Sequence, residues 1–284
     1  MNKKILTVIG VSGMLMLGSV YSISANTSGY ELYKSALKQT HTANSATMEV
    51  KLSITDNQTD IFSADSIFKS DSVNQVNALT TTLANESETS TMNMYKQEGN
   101  WFVMKDGVDS IYKMEISKTP HHKNTAELKD DLENLIDVMT KNLQQKITVE
   151  ATQNGNHSIE LDLTGKEIPL TANALSTLMI KHAVMIEDNK EKDSTDFHLQ
   201  ATMPELDHDI SVKQVKLTAQ VNKENYIEKQ VIKAVVTGKN QQGKIHELVL
   251  TIDMSVTDYN QTSVSPIDIP AEKVIHFEHG KSGK

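Results

Sequence analysis

Residues 46–56 read ATMEVKLSITD and residues 247–257 read ELVLTIDMSVT. In the first stretch Met48, Val50, Leu52 and Ile54 alternate with Glu49, Lys51 and Ser53. In the second, Leu248, Leu250, Ile252, Met254 and Val256 alternate with polar or small residues. A strict period of two puts every apolar side chain on one face of a strand and every polar one on the other. These stretches predict long strands with one dry and one wet face.

Working outward, the same signal recurs. Phe62 to Phe68, Leu79 to Leu83, Met92 to Met94, Trp101 to Lys105 and Ile111 to Ile116 predict further strands, with turn chemistry at Asp56-Asn57, Gly99-Asn100 and Asp106-Gly107. Ile147 to Ala151 and Ile159 to Leu163 flank Asn154-Gly155, a hairpin signal. Phe197 to Met203 alternates, and so does Ile210 to Val221, while Ile227 to Val236 predicts a further long strand, followed by a turn at Gln241-Gln242-Gly243. The apolar parity switches near Lys213-Gln214, which predicts a β-bulge. Pro266 and Pro270 punctuate the tail, where Ile267 and Ile269 are expected to pack on the sheet edge.

Three segments carry a helical period instead. Tyr30, Tyr33 and Leu37 predict a short helix over 30–40, with Ser28 and Gly29 as cap candidates. Leu128, Leu132, Leu135, Ile136, Met139 and Leu143 predict a helix over about 125–144. Leu175, Leu178, Met179, Ala183 and Ile186 predict another over about 171–187, apolar over more than half its circumference.

The chain has 284 residues and a formal charge of −9, every basic residue is lysine, and there is no cysteine. No disulfide, zinc–thiolate site, cysteine nucleophile or lipidated cysteine is available. The acidic balance and the lack of arginine argue against nucleic-acid binding. Residues 1–25 read as a secretory signal: Lys3 and Lys4, then an apolar run from Ile5 to Leu17, then small residues with cleavage after Ala25 or, alternatively, Ser24. An uncleaved N-terminal anchor is the competing reading of the same run. No later segment approaches the length of a bilayer span. A secreted or extracytoplasmic protein of the cell envelope is expected, without lipid anchor and not membrane-spanning after cleavage, with charge −11 once Lys3 and Lys4 are removed.

The expected architecture is α+β: a curved antiparallel half-barrel of about eleven to twelve strands. An N-terminal helix and two inserted helices cap its concave face, and residues 26–284 form a single domain. This element order resembles the LolA/LppX-like carrier fold, shared with the N-terminal part of RseB-type sensors. The phrase Gly29-Tyr30-Glu31-Leu32-Tyr33-Lys34 leading to Ala46-Thr47-Met48 resembles secreted Gram-positive members, and so does Asp258-Tyr259-Asn260 followed by Ile267-Asp268-Ile269-Pro270. The chain departs from the lipid-anchored members in having no lipobox cysteine, and from RseB-type regulators in having no separate C-terminal domain. The resemblance implies a non-enzymatic carrier with a lipid or other hydrophobic small molecule in the half-barrel.

No catalytic constellation competes with that. His121-His122 are adjacent and diverge, as in a solvated loop. Glu205, Asp207, His208 and Asp209 offer oxygens to a hard cation but match no EF-hand spacing, so a polar connection is the simpler reading. His276 with His279, and Asp196 with His198 and Ser194, lack the surroundings of a site, and no G-x-S-x-G elbow exists. No cofactor, metal or enzymatic activity is expected. The methionines, among them Met92, Met94, Met104, Met114, Met185 and Met203, read first as core fillers and second as an adaptable ligand lining. The expected lining is Met48, Val50, Leu52, Leu135, Met139, Leu175, Met179, Leu250, Ile252 and Met254. The alternative is a structural or sensory envelope protein whose concavity is filled and which acts through an envelope protein partner.

Overall fold

The computed structural model describes residues 28–115, 144–169, 204 and 206–276. The signal segment, both inserted helices and the strand read over 197–203 lie outside the described residues.

The described chain opens with helix α1 (Gly29–His41). Ser28 caps it, its hydroxyl oxygen accepting from the Glu31 N–H, while Lys38 and His41 in the last turn suit the helix dipole. Six strands follow: β1 (Ser45–Asp56), β2 (Thr59–Asp71), β3 (Val76–Asn85), β4 (Thr89–Gln97), β5 (Asn100–Lys105) and β6 (Ile111–Glu115). After residue 144 come β7 (Thr148–Ala151), β8 (His157–Thr164), β9 (His208–Val221), β10 (Ile227–Lys239), β11 (Ile245–Thr257) and β12 (Val274–His276).

All twelve lie in one open, curved sheet in the order β12-β6-β5-β4-β3-β2-β1-β11-β10-β9-β8-β7. The two quoted stretches, about two hundred residues apart, are central neighbours: β1 pairs antiparallel with β11, Val50 opposite Met254 and Leu52 opposite Ile252. Antiparallel strands hold this register because a one-residue slip would turn every apolar side chain to water. The expected bulge is present: Val235 pairs with Gln214 and Val236 with Val212, leaving Lys213 unpaired.

Three expectations are corrected. Asp56 is a strand residue, not a turn residue; the turn is Asn57-Gln58, both at positive φ. Asn57 tolerates that conformation, and its side chain grips β11, accepting from the Glu247 N–H at 3.2 Å. The Gly99 turn likewise falls one residue earlier, on Glu98-Gly99, with Gly99 at φ +74° and Asn100 already in β5.

The third correction concerns the tail, which does more than pack on an edge. It crosses the sheet as a strap. The Asn260 N–H donates to Ser45 O at 2.7 Å, the Thr262 and Thr47 hydroxyls lie 3.0 Å apart, and the Val264 N–H donates to Asp71 Oδ2 at 3.1 Å. The Gln97 amide and the Ile267 backbone exchange two hydrogen bonds of 2.9 Å each. Lys273 then pairs with Asp109, and β12 joins the edge beside β6. That last pair is parallel, so the sheet is not wholly antiparallel. A parallel partner needs a long crossover, and the strap supplies it. Thr47, Asp71 and Gln97 are out of phase with the apolar parity, so the strap lies on the face opposite α1.

Gly29 illustrates how tightly α1 is seated. A Cβ there would sit 2.6 Å from Ile147 O and 2.8 Å from Val149 Cγ2. Backbone oxygen cannot yield as a side-chain tip can. Gly29→Ala should therefore destabilise by about 2 kcal/mol through overpacking. A thermal melt with an unchanged midpoint would show that α1 docks more loosely than this.

Candidate functional site

The sheet's alternating residues make one broad apolar face. One row of paired residues runs Val256–Met48–Phe68–Leu79–Met94–Val103–Tyr112 from β11 across to β6. Another runs Leu161–Leu217–Ile232–Ile252–Leu52–Ala64–Leu83 from β8 across to β3. Each row spans seven strands, about 30 Å at the usual strand spacing. The other face carries charged pairs across β8 to β11, with Lys229 and Asp253 at 3.4 Å and Lys216 paired with Glu160, while on β5 and β6 it carries Phe102, Met104 and Ile111.

Six of the ten expected lining residues lie on this apolar face. Met48, Val50, Leu52, Leu250, Ile252 and Met254 come together at the β1–β11 seam. Val50, Leu52, Ile252 and Met254 are buried, in one cluster with Ala36 and Leu37 of α1 and with Ile159, Ala219, Val221 and Ile227. Leu135, Met139, Leu175 and Met179 lie outside the described residues. Of the other methionines, Met92 and Met94 share the apolar face, while Met104 is on the opposite parity.

α1 packs on β9 and β10. Thirteen helical residues make a rod of about 20 Å by 10 Å, which covers only part of a face this wide. Its seat is polar as well as apolar. The Tyr33 hydroxyl donates to Gln230 Oε1 at 2.6 Å, the Ile227 N–H donates to Thr40 Oγ1 at 2.9 Å, and Asn225 Nδ2 donates to Ser35 Oγ at 2.7 Å. Burial raises the pKa of the Tyr33 phenol, which keeps it a neutral donor. Elsewhere on the face the polar intrusions satisfy each other, Ser66 and Thr81 hydroxyls lying 3.0 Å apart. The row from Phe68 to Val103 belongs to strands on the far side of the β1–β11 seam from α1's seat.

One pair is not satisfied. Asp56 and His246 are on the apolar parity, at the ends of β1 and β11 that continue beyond Ile54 and Leu248. His246 Nδ1 lies 2.7 Å from Asp56 Oδ2, and His246 is 5% exposed. His246 Nε2 and Asp56 Oδ1 are buried with no hydrogen-bond partner among the described residues. Ile61, Leu206 and Leu248 pack together at the same end, and Leu206 lies against Gly238, the residue paired with His246. Sequence reasoning misses this pair. The signal it offers is parity: an acid and a histidine occupy positions where the alternation calls for apolar residues.

The described residues of the acidic segment before β9, Asp207 to Asp209, are tied to β10, and Glu205 lies outside the described residues. Leu206 of that segment is buried, Asp209 pairs with Lys239 at 2.8 Å, and the Asp207 N–H donates to Lys239 O at 2.9 Å. Hydrogen bonding to the Lys239 ammonium, reinforced by its charge, holds the Asp209 carboxyl below its ordinary range. Among the described residues no three metal-ligating side chains gather, and no helix is long and apolar enough to cross a membrane. His121, His122, Asp196, His198 and His279 lie outside the described residues.

No family model matches the chain, and no curated protein matches it. Among solved structures it is similar to the crystal structure of the LolA superfamily protein NE2245 from Nitrosomonas europaea, at 7% identity over 84% of this chain and 96% of that one, with a TM-score of 0.24. A likeness of that size carries no argument about ligand or function.

Proposed function

We propose that this chain is a non-enzymatic, extracytoplasmic protein that binds a lipid-like or other hydrophobic ligand on the apolar face of a LolA/LppX-like half-barrel. The observation that supports this is the breadth of that face: apolar rows seven strands wide, with α1 seated on β9 and β10. Removing apolar area from water would supply the affinity, at about 25 cal/mol per Å² of ligand and protein surface before the costs of association. A single small-molecule class is not demanded by such a surface; methionines at 48, 92, 94 and 254 can repack around varied chains.

A second reading has its own support. Val50, Leu52, Ile252 and Met254 are already buried in one cluster with α1, as in a protein whose hollow is filled and which acts through an envelope partner. Native mass spectrometry of the secreted protein separates the two. The carrier reading expects co-purifying apolar mass and saturable uptake of a hydrophobic fluorophore. A protein that carries nothing and takes up nothing is the filled-hollow protein.

A further inference from the structure

We infer that Lys96 is the polar anchor of the ligand site, and that the ligand is an acidic amphiphile: a hydrocarbon body with a carboxylate or phosphate head. This rests on the hydrophobic-ligand reading above and adds the head-group chemistry.

The apolar face carries charge of one sign only over β2 to β6. On the apolar parity of these strands stand two charged side chains, Lys96 and Lys105, and no acid. Asp60, Asp65, Asp71 and Glu115 all fall on the opposite parity. Yet the chain as a whole is acidic, with charge −9. Lys96 stands where the alternation calls for an apolar residue, two positions along β4 from Met94 and four from Met92.

Placement gives the use. Lys96 lies opposite Asn77 on β3 and Trp101 on β5. The adjoining row is Phe68–Leu79–Met94–Val103–Tyr112, on the far side of the β1–β11 seam from α1's seat. Phe68, Met94, Trp101 and Tyr112 are half-buried and keep surface that a hydrocarbon can cover, and Lys96 is half-buried beside them. Other lysines of the described chain answer carboxylates: Lys216 pairs with Glu160, Lys229 with Asp253, Lys239 with Asp209 and Lys273 with Asp109. No carboxylate among the described residues lies within salt-bridge distance of Lys96. A lysine at the border of an apolar surface lays its stem on that surface and keeps its ammonium in water. A carboxylate or phosphate carried there by its own hydrocarbon gains a charge-assisted hydrogen bond, and the Asn77 amide can donate a second. A neutral head gains less, and a cationic head is repelled.

The test compares dodecanoate, dodecyl phosphate and 1-dodecanol as displacers of a bound hydrophobic fluorophore on the full secreted chain. At least one of the acids should bind about tenfold more tightly than the alcohol, the worth of one charge-assisted hydrogen bond at a half-buried site. The tighter of the two acids identifies the head the site takes. Lys96→Met keeps the apolar stem and removes the charge, so it should lose the preference while dodecanol binds as before. Lys96→Glu should weaken both acids further and spare dodecanol, a selective change that loosened packing would not produce. Lys69→Met, on the opposite parity of β2, should leave all three affinities unchanged. If acids and alcohol bind the wild type equally, or the preference survives Lys96→Met, or Lys69→Met lowers it as far, the anchor assignment is wrong while the carrier reading stands. If neither the three compounds nor the fluorophore bind, the carrier reading itself fails and the anchor with it. Should Lys96→Met not fold, Lys96→Gln, neutral and polar, decides in its place.

Discussion

Met254→Lys should destabilise the protein by about 4 kcal/mol, while Ser255→Lys, the next residue along the same strand, should change stability by no more than about 0.5 kcal/mol. Met254 is buried between Val50 on β1 and Gln230 on β10. An ammonium there leaves water with no carboxylate in its rows to receive it. Ser255 is on the polar face, opposite Glu49 on β1 and Lys229 on β10, where a lysine stays solvated. For a chain of this size the difference should separate the two melting temperatures by about 10 °C. Equal effects would mean that the faces are not distinguished as the alternation requires. Fluorophore uptake should be lost in Met254→Lys alone.

The second large effect concerns the strap. Asp71 is a buried residue whose carboxylate accepts from the Asn74 N–H at 3.0 Å, the Asn74 side chain at 2.7 Å and the Val264 N–H at 3.1 Å. The Asn74 backbone bond, then that of Val264, hold its pKa below the ordinary aspartate value. A carboxyl whose folded pKa is depressed stabilises the fold above its unfolded value and stops doing so as pH falls through the folded one. The strap should therefore loosen in acid, beginning in the ordinary aspartate range and completing below it. Asp71→Ala should bring the same change at neutral pH, with hydrogen exchange at the Val264 and Ile267 amides rising about tenfold as local opening becomes easier. Exchange in β1 and β11 should stay slow. If protection at Val264 is unchanged at neutral pH in Asp71→Ala, the strap is held by Gln97 and the β12 pairing instead.

Much of the sheet was legible because an antiparallel sheet with one wet face writes itself into the chain at period two. β1 to β4, β8, β9 and β11 follow directly from that alternation, β5 and β10 follow from apolar runs beside turns, and even the unpaired Lys213 announces itself as a change of parity. The strap was not legible. Its contacts are scattered hydrogen bonds, chief among them those of Asp71 with Val264 and of Gln97 with Ile267, made by residues that look like any polar strand end. β12 is three residues long and has no room for a period. Six of the ten expected lining residues share the apolar face because parity is a local property. Whether they touch α1 or a ligand is not local, and only packing places Ala36 and Leu37 in one cluster with Val50 and Met254.

By itself, the order of residues determined which side of each strand is greasy, where most turns fall and which residues could form one dry surface. Tertiary structure decided that β1 and β11 are neighbours, that α1 sits on β9 and β10, that the tail crosses the opposite face, and that His246 meets Asp56. The reason is range: alternation reflects each residue's own transfer from water, whereas pairing across two hundred residues depends on which distant surfaces close against each other with their polar groups satisfied.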